Sequence, residues 1–332
     1  MTDTRYDVTG IGNAIVDIIG RCDDMFLAEI GVAKGSMQLT DADGVAKIYR
    51  SMGPAIEISG GSVANTIAGV ASFGGAAGFI GKVADDEFGR IFTHDIRSIG
   101  VTFTSPPVTG SLPTSRSLIL VTPDGERTMN TFLGISTSLD HAQLDREMIK
   151  NSAILYLEGY LFDLPDAKNA FKDAMREAKG AGRQVALSLS DGFCVDRHRA
   201  AFLALIQSGV DILFANENEI NSLYQTSDFD SAALHAKRDV KLAVLTRSSK
   251  GSLILSSGEP LIVPAEPVSK VIDTTGAGDL YAAGFLFGTA RGLPLADCGT
   301  LASLAAAEII SHIGARPAMA LSTLARERGL LS

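Results

Sequence analysis

The chain has 332 residues, 46% hydrophobic and 20% charged, with a formal net charge of −9. That suffices for one large core or a core plus a small appendage, and the acidic balance excludes the basic footprint of a nucleic-acid binder or a membrane-surface helix. Three cysteines (Cys22, Cys194, Cys298) lie far apart, which excludes a disulfide framework or CxxC metal spacing and points to a reducing, cytoplasmic setting.

The first residues, MTDTRYDVTG, hold no apolar signal core. No uninterrupted apolar run approaches the roughly 20 residues needed to span a bilayer, so a membrane partner is not expected. YDVTGIGNAIVDIIG reads as a buried strand, a glycine turn and a second strand. GGSVANTIAGVASFGG carries small and apolar residues at helical spacing from Ser62 to Phe73, and AAGFIGKVA is a short strand. SRSLILVTPDGERTMNTF reads as two strands around the turn Pro123-Asp124-Gly125. Helix signals are sparse between Val101 and Gly134, which suggests a β-rich appendage.

From Ser152 the pattern changes. AILYLEG, QVALSLS, VDILFAN and KLAVLTR are short apolar runs, separated by helical segments expected at about 166–180, 197–208 and 217–238. Strand alternating with helix implies an α/β fold with a mostly parallel sheet covered on both faces. GSLILSSGEPLIVPA reads as a hairpin, and the last 60 or so residues as largely helical. The five histidines show no ligand spacing and are expected to be ordinary surface or core residues.

DTTGAGD, residues 273–279, stands at the mouth of an apolar helix starting near Ala277. The first amides of a helix lack intrahelical partners and carry partial positive charge. Gly276 and Gly278 let a ligand approach the backbone. The amides of Gly276, Ala277 and Gly278 can therefore cradle the charge on a transferred phosphoryl group. Asp279 would repel phosphate, but it suits the removal of a proton from an attacking hydroxyl. The plainer reading is a glycine turn with Asp279 balancing the helix dipole. Two decoys fail: GIGNAI lacks the third glycine of a dinucleotide fingerprint, and GKV at 81–83 lacks both the upstream glycine, where Ala76 stands, and the following Ser/Thr of a P-loop.

Three motifs in order resemble the ribokinase-like (PfkB) carbohydrate kinases: GGSVANTIAGVASFGG, NENE at 216–219 after the strand VDILFA, and DTTGAGDLYAAGFL. Within that family GIGNAIVDI, VDILFANENE and SHIGARP are most similar to the adenosine kinase branch of nucleoside kinases. The resemblance implies a single ribokinase-like domain over 1–332, with a discontinuous β lid built from about 13–40 and 101–134. It implies ATP and Mg²⁺ as cofactors, a nucleoside as the other small-molecule partner, no nucleic acid, and a monomer or homodimer. A monovalent cation near the Asp and Thr of DTT is left open.

The implied roles fall on matching positions. Asp279 would be the base for the ribose 5′-hydroxyl, with the amides of Gly276, Ala277 and Gly278 and the side chain of Arg127 on the phosphates. Asp17 would accept from ribose hydroxyls, with Gly61, Ser62 and Asn65 holding the sugar from the other side. Asn13 would lie near the nucleobase, in a slot with Leu39, Phe162 and Phe193, although each of the last three also reads as ordinary core. Asn216 and Glu219 would act on magnesium or its waters. Thr246, Gly251, Ser303 and Ala307 would meet ATP. Two departures stand out: Val63 where relatives often have Ala or Gly, and Thr275, the sugar-kinase form, where several adenosine kinases have Asn. The expected activity is phosphorylation of adenosine. A free sugar such as ribose or fructose, another purine nucleoside such as inosine or guanosine, and a nucleoside-binding protein without chemistry are the alternatives.

Overall fold

The computed structural model describes residues 4–331 apart from Ser111 and Leu164. Its strands, numbered along the chain, are β1 (Tyr6–Ile11), β2 (Ile15–Arg21), β3 (Met37–Leu39), β4 (Ala55–Gly60), β5 (Ala77–Ile80), β6 (Thr102–Phe103), β7 (Ser115–Val121) and β8 (Arg127–Phe132). Then follow β9 (Ser152–Glu158), β10 (Gln184–Ser188), β11 (Ile212–Asn216), β12 (Leu242–Thr246), β13 (Ser252–Leu255) and β14 (Leu261–Val263).

Runs that are apolar at consecutive positions bury both faces of a sheet. Here they assemble in the order β14-β13-β12-β11-β10-β9-β1-β5-β6. Every neighbouring pair from β12 to β6 is parallel, and β13 and β14 continue antiparallel as the expected hairpin. Alternate residues face two apolar layers. Val8, Ile154, Tyr156 and Phe214 meet the helices Ser62–Ser72, Ala277–Ala290 and Leu295–Ile309. Leu155, Leu157, Val185 and Leu187 meet the helices Pro165–Gly180, Gly192–Gln207 and Phe229–Asp239.

The single helix expected over 217–238 is two, Glu217–Tyr224 and Phe229–Asp239. Gln225 turns left-handed at φ 52° and ends the first, and the Asp228 carboxylate accepts from the Ser231 amide to start the second. The helix expected from 197 starts earlier, at Gly192, capped by Asp191, and is kinked at His198.

The second sheet has the order β3-β8-β7-β2-β4. It departs from the expected lid boundaries in two ways. It takes in β4, which lies outside both expected segments, and it leaves out Thr102–Phe103, which extends the main sheet as β6. AIEISG was missed because only its last two residues are buried. The register sets Ile58, Asp17, Ser117, Thr131 and Leu39 in one row across all five strands. Residues in such a row share a face, and this row looks toward the carboxyl ends of the main-sheet strands.

Candidate active site

A cavity of about 700 Å³ lies between that face and the main sheet. Glu158, Ser188, Asn216 and Thr246 line it from the carboxyl ends of β9 to β12, where ligands of open α/β sheets bind. Asp17, Ser117 and Thr131 line it from the other side.

Asp279 lies in the first turn of the helix Ala277–Ala290. Gly276 caps that helix at φ 78°, with no side-chain cap, and a Cβ there would lie 3.1 Å from Ala315. A Cβ on Gly278 would meet nothing within 4 Å, so the backbone faces open space. The Ala277 amide donates to the Thr274 carbonyl at 3.2 Å. Of the three amides expected to form a cradle, that of Ala277 is thus already engaged. The Asp279 carboxylate accepts from Ser62 Oγ at 2.6 Å and Asn65 Nδ2 at 3.0 Å. Burial raises its pKa, against those two donors and Arg316.

Ser62 and Asn65 thus hold the acidic group as well as lining the cavity. Asn65 is 5% exposed, and its Oδ1 has no partner among the described residues. Gly61 stands at φ 100°, and a Cβ there would come 2.3 Å from the Asn13 carbonyl. Val63 is fully buried and away from the cavity: a Cβ on Gly10 would lie 2.3 Å from its methyl group. The departure at Val63 therefore packs beneath the turn without narrowing the pocket.

Asp17 is nearly buried, and burial pushes its pKa up to about 7 against the pull of Arg316, while Asp279 adds to the rise and Arg127 opposes it. Arg127 does not line the cavity. Its Nη2 pairs with Asp273 Oδ2 at 2.6 Å and its Nη1 donates to Thr275 Oγ1 at 3.2 Å, beside the glycine cradle. Thr275 thus has a partner from the second sheet.

Asn216 and Glu219 form a capping box at the start of the helix Glu217–Tyr224. Asn216 Oδ1 accepts from the Glu219 amide at 2.9 Å, and the Glu219 carboxylate accepts from Asn216 N and Nδ2 at 3.0 and 2.6 Å. Both residues line the cavity, and burial pushes Glu219 up to about 7, with Asp191 and Asp279 adding to the rise. Thr246 also lines it.

Besides Arg127, four expected residues lie off the cavity. Phe162 is 2% exposed in the core, stacked on Phe202 at 4.3 Å between centroids. Gly251 sits in the turn before β13 at φ 81°, where a Cβ would come 2.0 Å from the Val263 carbonyl. Ser303 donates to the Pro264 carbonyl and accepts from the Glu266 amide, pinning that loop to its helix. Ala307 is buried in the same helix. Leu39 and Phe193 do line the cavity, yet they are 59% and 80% exposed, so they stand on an open rim and the expected slot lacks the buried Phe162.

Two residues were not singled out from sequence. Glu158 ends β9 with no exposure, and its carboxylate accepts from Asn13 N, Asn13 Nδ2 and Val63 N. Burial pushes its pKa up to about 7 against those donors. Arg316, in the SHIGARP tail, donates to the carbonyls of Ser59 and Ala64. Burial lowers its pKa to about 10, opposed by Asp95, Asp17 and Asp279. A lone Glu closing an apolar strand was the signal for Glu158, and Arg316 lay within the SHIGARP stretch without being picked out.

The profile of the pfkB family carbohydrate kinases matches residues 57–321. The crystal structure of a probable sugar kinase protein from Rhizobium etli CFN 42 superposes with a TM-score of 0.92 at 49% identity, covering 99% of this chain and 100% of that one. That of adenosine kinase from Sinorhizobium meliloti superposes at 0.90 with 53% identity, covering 98% and 99%. Fructokinase-1 of Oryza sativa subsp. japonica is 28% identical over 267 residues, 78% of this chain and 82% of that protein. Among the described residues, no helix is long and apolar enough to cross a membrane.

Proposed function

This chain belongs to the pfkB family of carbohydrate kinases, and from that premise we propose that it is an ATP-dependent adenosine kinase, which transfers the γ-phosphoryl group to the ribose 5′-hydroxyl and releases AMP and ADP. The observation that carries the reading is the placement of Asp279. It is held by Ser62 and Asn65, beside the open backbone of Gly278 and on the same cavity as Asp17. The 53% identity to the S. meliloti adenosine kinase supports the choice of substrate.

In this mechanism Asp17 accepts from the vicinal ribose hydroxyls, and Asn65 Oδ1 accepts a further one. Analogues lacking those hydroxyls leave the carboxylate buried and unpaired, so the site rejects them. Asp279 takes the proton of the 5′-hydroxyl as that oxygen attacks phosphorus, and the bond from the γ-phosphorus to ADP breaks. The amides of Gly276 and Gly278 stabilise the charge on the transferred group, while Arg127, paired with Asp273 outside the cavity, braces the turn that carries them. Closure of the five-stranded sheet over the sugar excludes water as a competing acceptor.

Asn216, Glu219 and Asp191 bring oxygen atoms to the cavity, but Asn216 and Glu219 already hydrogen-bond each other, so they would act on Mg²⁺ through its waters. When bound, Mg²⁺ would neutralise charge on the ATP phosphates. Asp273 is a poor fit for a monovalent cation, because its carboxylate already accepts from the Thr275 and Gly314 amides and pairs with Arg127.

One observation favours a free sugar: the open rim at Leu39 and Phe193 encloses no nucleobase. The deciding assay is ADP release from Mg·ATP with adenosine, inosine, guanosine, ribose and fructose as acceptors. Turnover of adenosine is expected. Turnover of ribose or fructose with adenosine ignored would sink the proposal, and tight adenosine binding with no ADP formed would favour a binding protein.

A further inference from the structure

The chain passes between the main sheet and the five-stranded sheet four times. It leaves at Gly12–Ala14 between β1 and β2, returns at Gly61 after β4, leaves again near Thr114 before β7, and returns at Leu133 after β8. Two of these crossings meet at one buried side chain, and a third joins them through Asn13. Glu158 Oε1 accepts from Asn13 N and Nδ2, both at 2.7 Å, at the first. Its Oε2 accepts from Val63 N at 2.9 Å, in the first turn of the helix that follows Gly61. The crossing after Leu133 joins through Asn13, whose Oδ1 accepts from Ser136 Oγ at 2.7 Å, while that hydroxyl also reaches the Leu133 carbonyl. The remaining crossing is held apart from this set, by Asp86, which accepts from Thr114 N and Oγ1.

A fully buried carboxylate at a strand end costs more to desolvate than an apolar residue of the same size, and its placement calls for a reason. A cap is part of it: Gly61 has no side chain to satisfy the helix amides, and Glu158 supplies the acceptor from another strand. Packing is tight around it, since a Cβ on Gly12 would come 3.0 Å from the carboxyl group. The consequence reaches the chemistry by two routes. Asn13 leads directly into β2, which carries Asp17. Val63 lies between Ser62 and Asn65, which hold Asp279.

We propose that Glu158 is a positioning residue: the fixed point that aligns the five-stranded sheet, and Asp17 with it, against Asp279. It acts through Asn13, Val63 and Ser136. Its kinetic consequence rests on the kinase reading above, but its geometric consequence does not.

The test is Glu158→Gln, which keeps the shape but turns an NH₂ group toward one of the three N–H donors. Hydrogen exchange should quicken together at 12–15, 62–64 and 134–138, by about tenfold or more, with β10 and β11 unchanged. Turnover of the acceptor that the wild-type enzyme uses should fall by about tenfold or more, with KM for ATP within about threefold, as expected for misaligned reacting groups. Quickening confined to 12–15 and 62–64, or turnover within about twofold of wild type, overturns the proposal. If the variant does not fold by circular dichroism, Ser136→Ala tests the outer link: quickening at 12–15 as well as 134–138 is expected, and quickening at 134–138 alone refutes it. Should the wild type phosphorylate none of the acceptors, the kinase reading falls while the exchange pattern still decides the role of Glu158.

Discussion

Asp279 and Asp17 are carboxylates held in a poorly solvated cavity, and their protonation sets what the site can do. Asp279→Asn should leave adenosine affinity within a few-fold and cut turnover by about 10²-fold or more, read by steady-state kinetics and isothermal titration. Near wild-type turnover would remove Asp279 from the chemistry. For Asp17, Glu158 and Glu219 burial lifts the folded-state pKa to about 7, above the value in an unfolded chain. Protonation of such groups favours the fold, so their stabilising share is full below about pH 4 and is lost as pH rises through about 7. Under the proposed role of Asp17, activity should run the other way, because only the ionised carboxylate offers both oxygens as acceptors to the two hydroxyls. Acceptor kcat/KM is expected to fall below about pH 7, while the melting temperature of the free protein declines between pH 5 and 8. In Asp17→Asn that thermal decline should be shallower, by differential scanning fluorimetry, and KM for the acceptor should rise. The legible residues were those within short motifs, such as Asp279 and Asn65. Glu158 was illegible because its three partners come from residues 13 and 63, far along the chain. For Phe162 both a slot and the core were open from sequence, and the structure puts it in the core: an aromatic near a strand end does not announce which side of the sheet it faces.

The helices Ser62–Ser72 and Ala277–Ala290 bring the two signature segments together. Their close approach depends on Gly69, where a Cβ would lie 2.5 Å from that of Ala283 and 2.8 Å from Leu280 Cδ1. Gly69→Val should destabilise the fold by about 1–3 kcal/mol through overpacking, measured by urea unfolding. It should also lower turnover, since prising the helices apart draws Ser62 and Asn65 off Asp279. Unchanged kinetics in a destabilised protein would mean that the carboxylate does not need their grip. At this scale the apolar runs and the helices around them were readable from periodicity. NENE shows the limit of a motif reading: whatever it does for a ligand, its first visible act is to cap a helix. The break at Gln225 was missed because a left-handed glutamine carries no glycine to mark it.

Across the whole molecule, the pair between Arg127 at the start of β8 and Asp273 before the glycine cradle ties the second sheet to the main body. The side chains are 9% and 6% exposed, so removing one partner strands a nearly buried charge. Arg127→Ala should cost about 3 kcal/mol in urea unfolding, the lower end for a broken buried pair. A loss under about 1 kcal/mol would class it with surface pairs. The expected lid was placed only in outline from sequence, because its strands are stitched from segments that pair across long separations and carry few buried residues at its edges. That same stitching governs how the molecule is born. β1 is made well before β9, and Tyr6 pairs with Ser152, so one flank of β1 waits on the order of ten seconds for its neighbour at ordinary synthesis rates. β2 likewise waits for β7. The nascent chain thus carries unpaired strand edges until β7 and β9 are made, and no contiguous cut could later free the second sheet as a separate module.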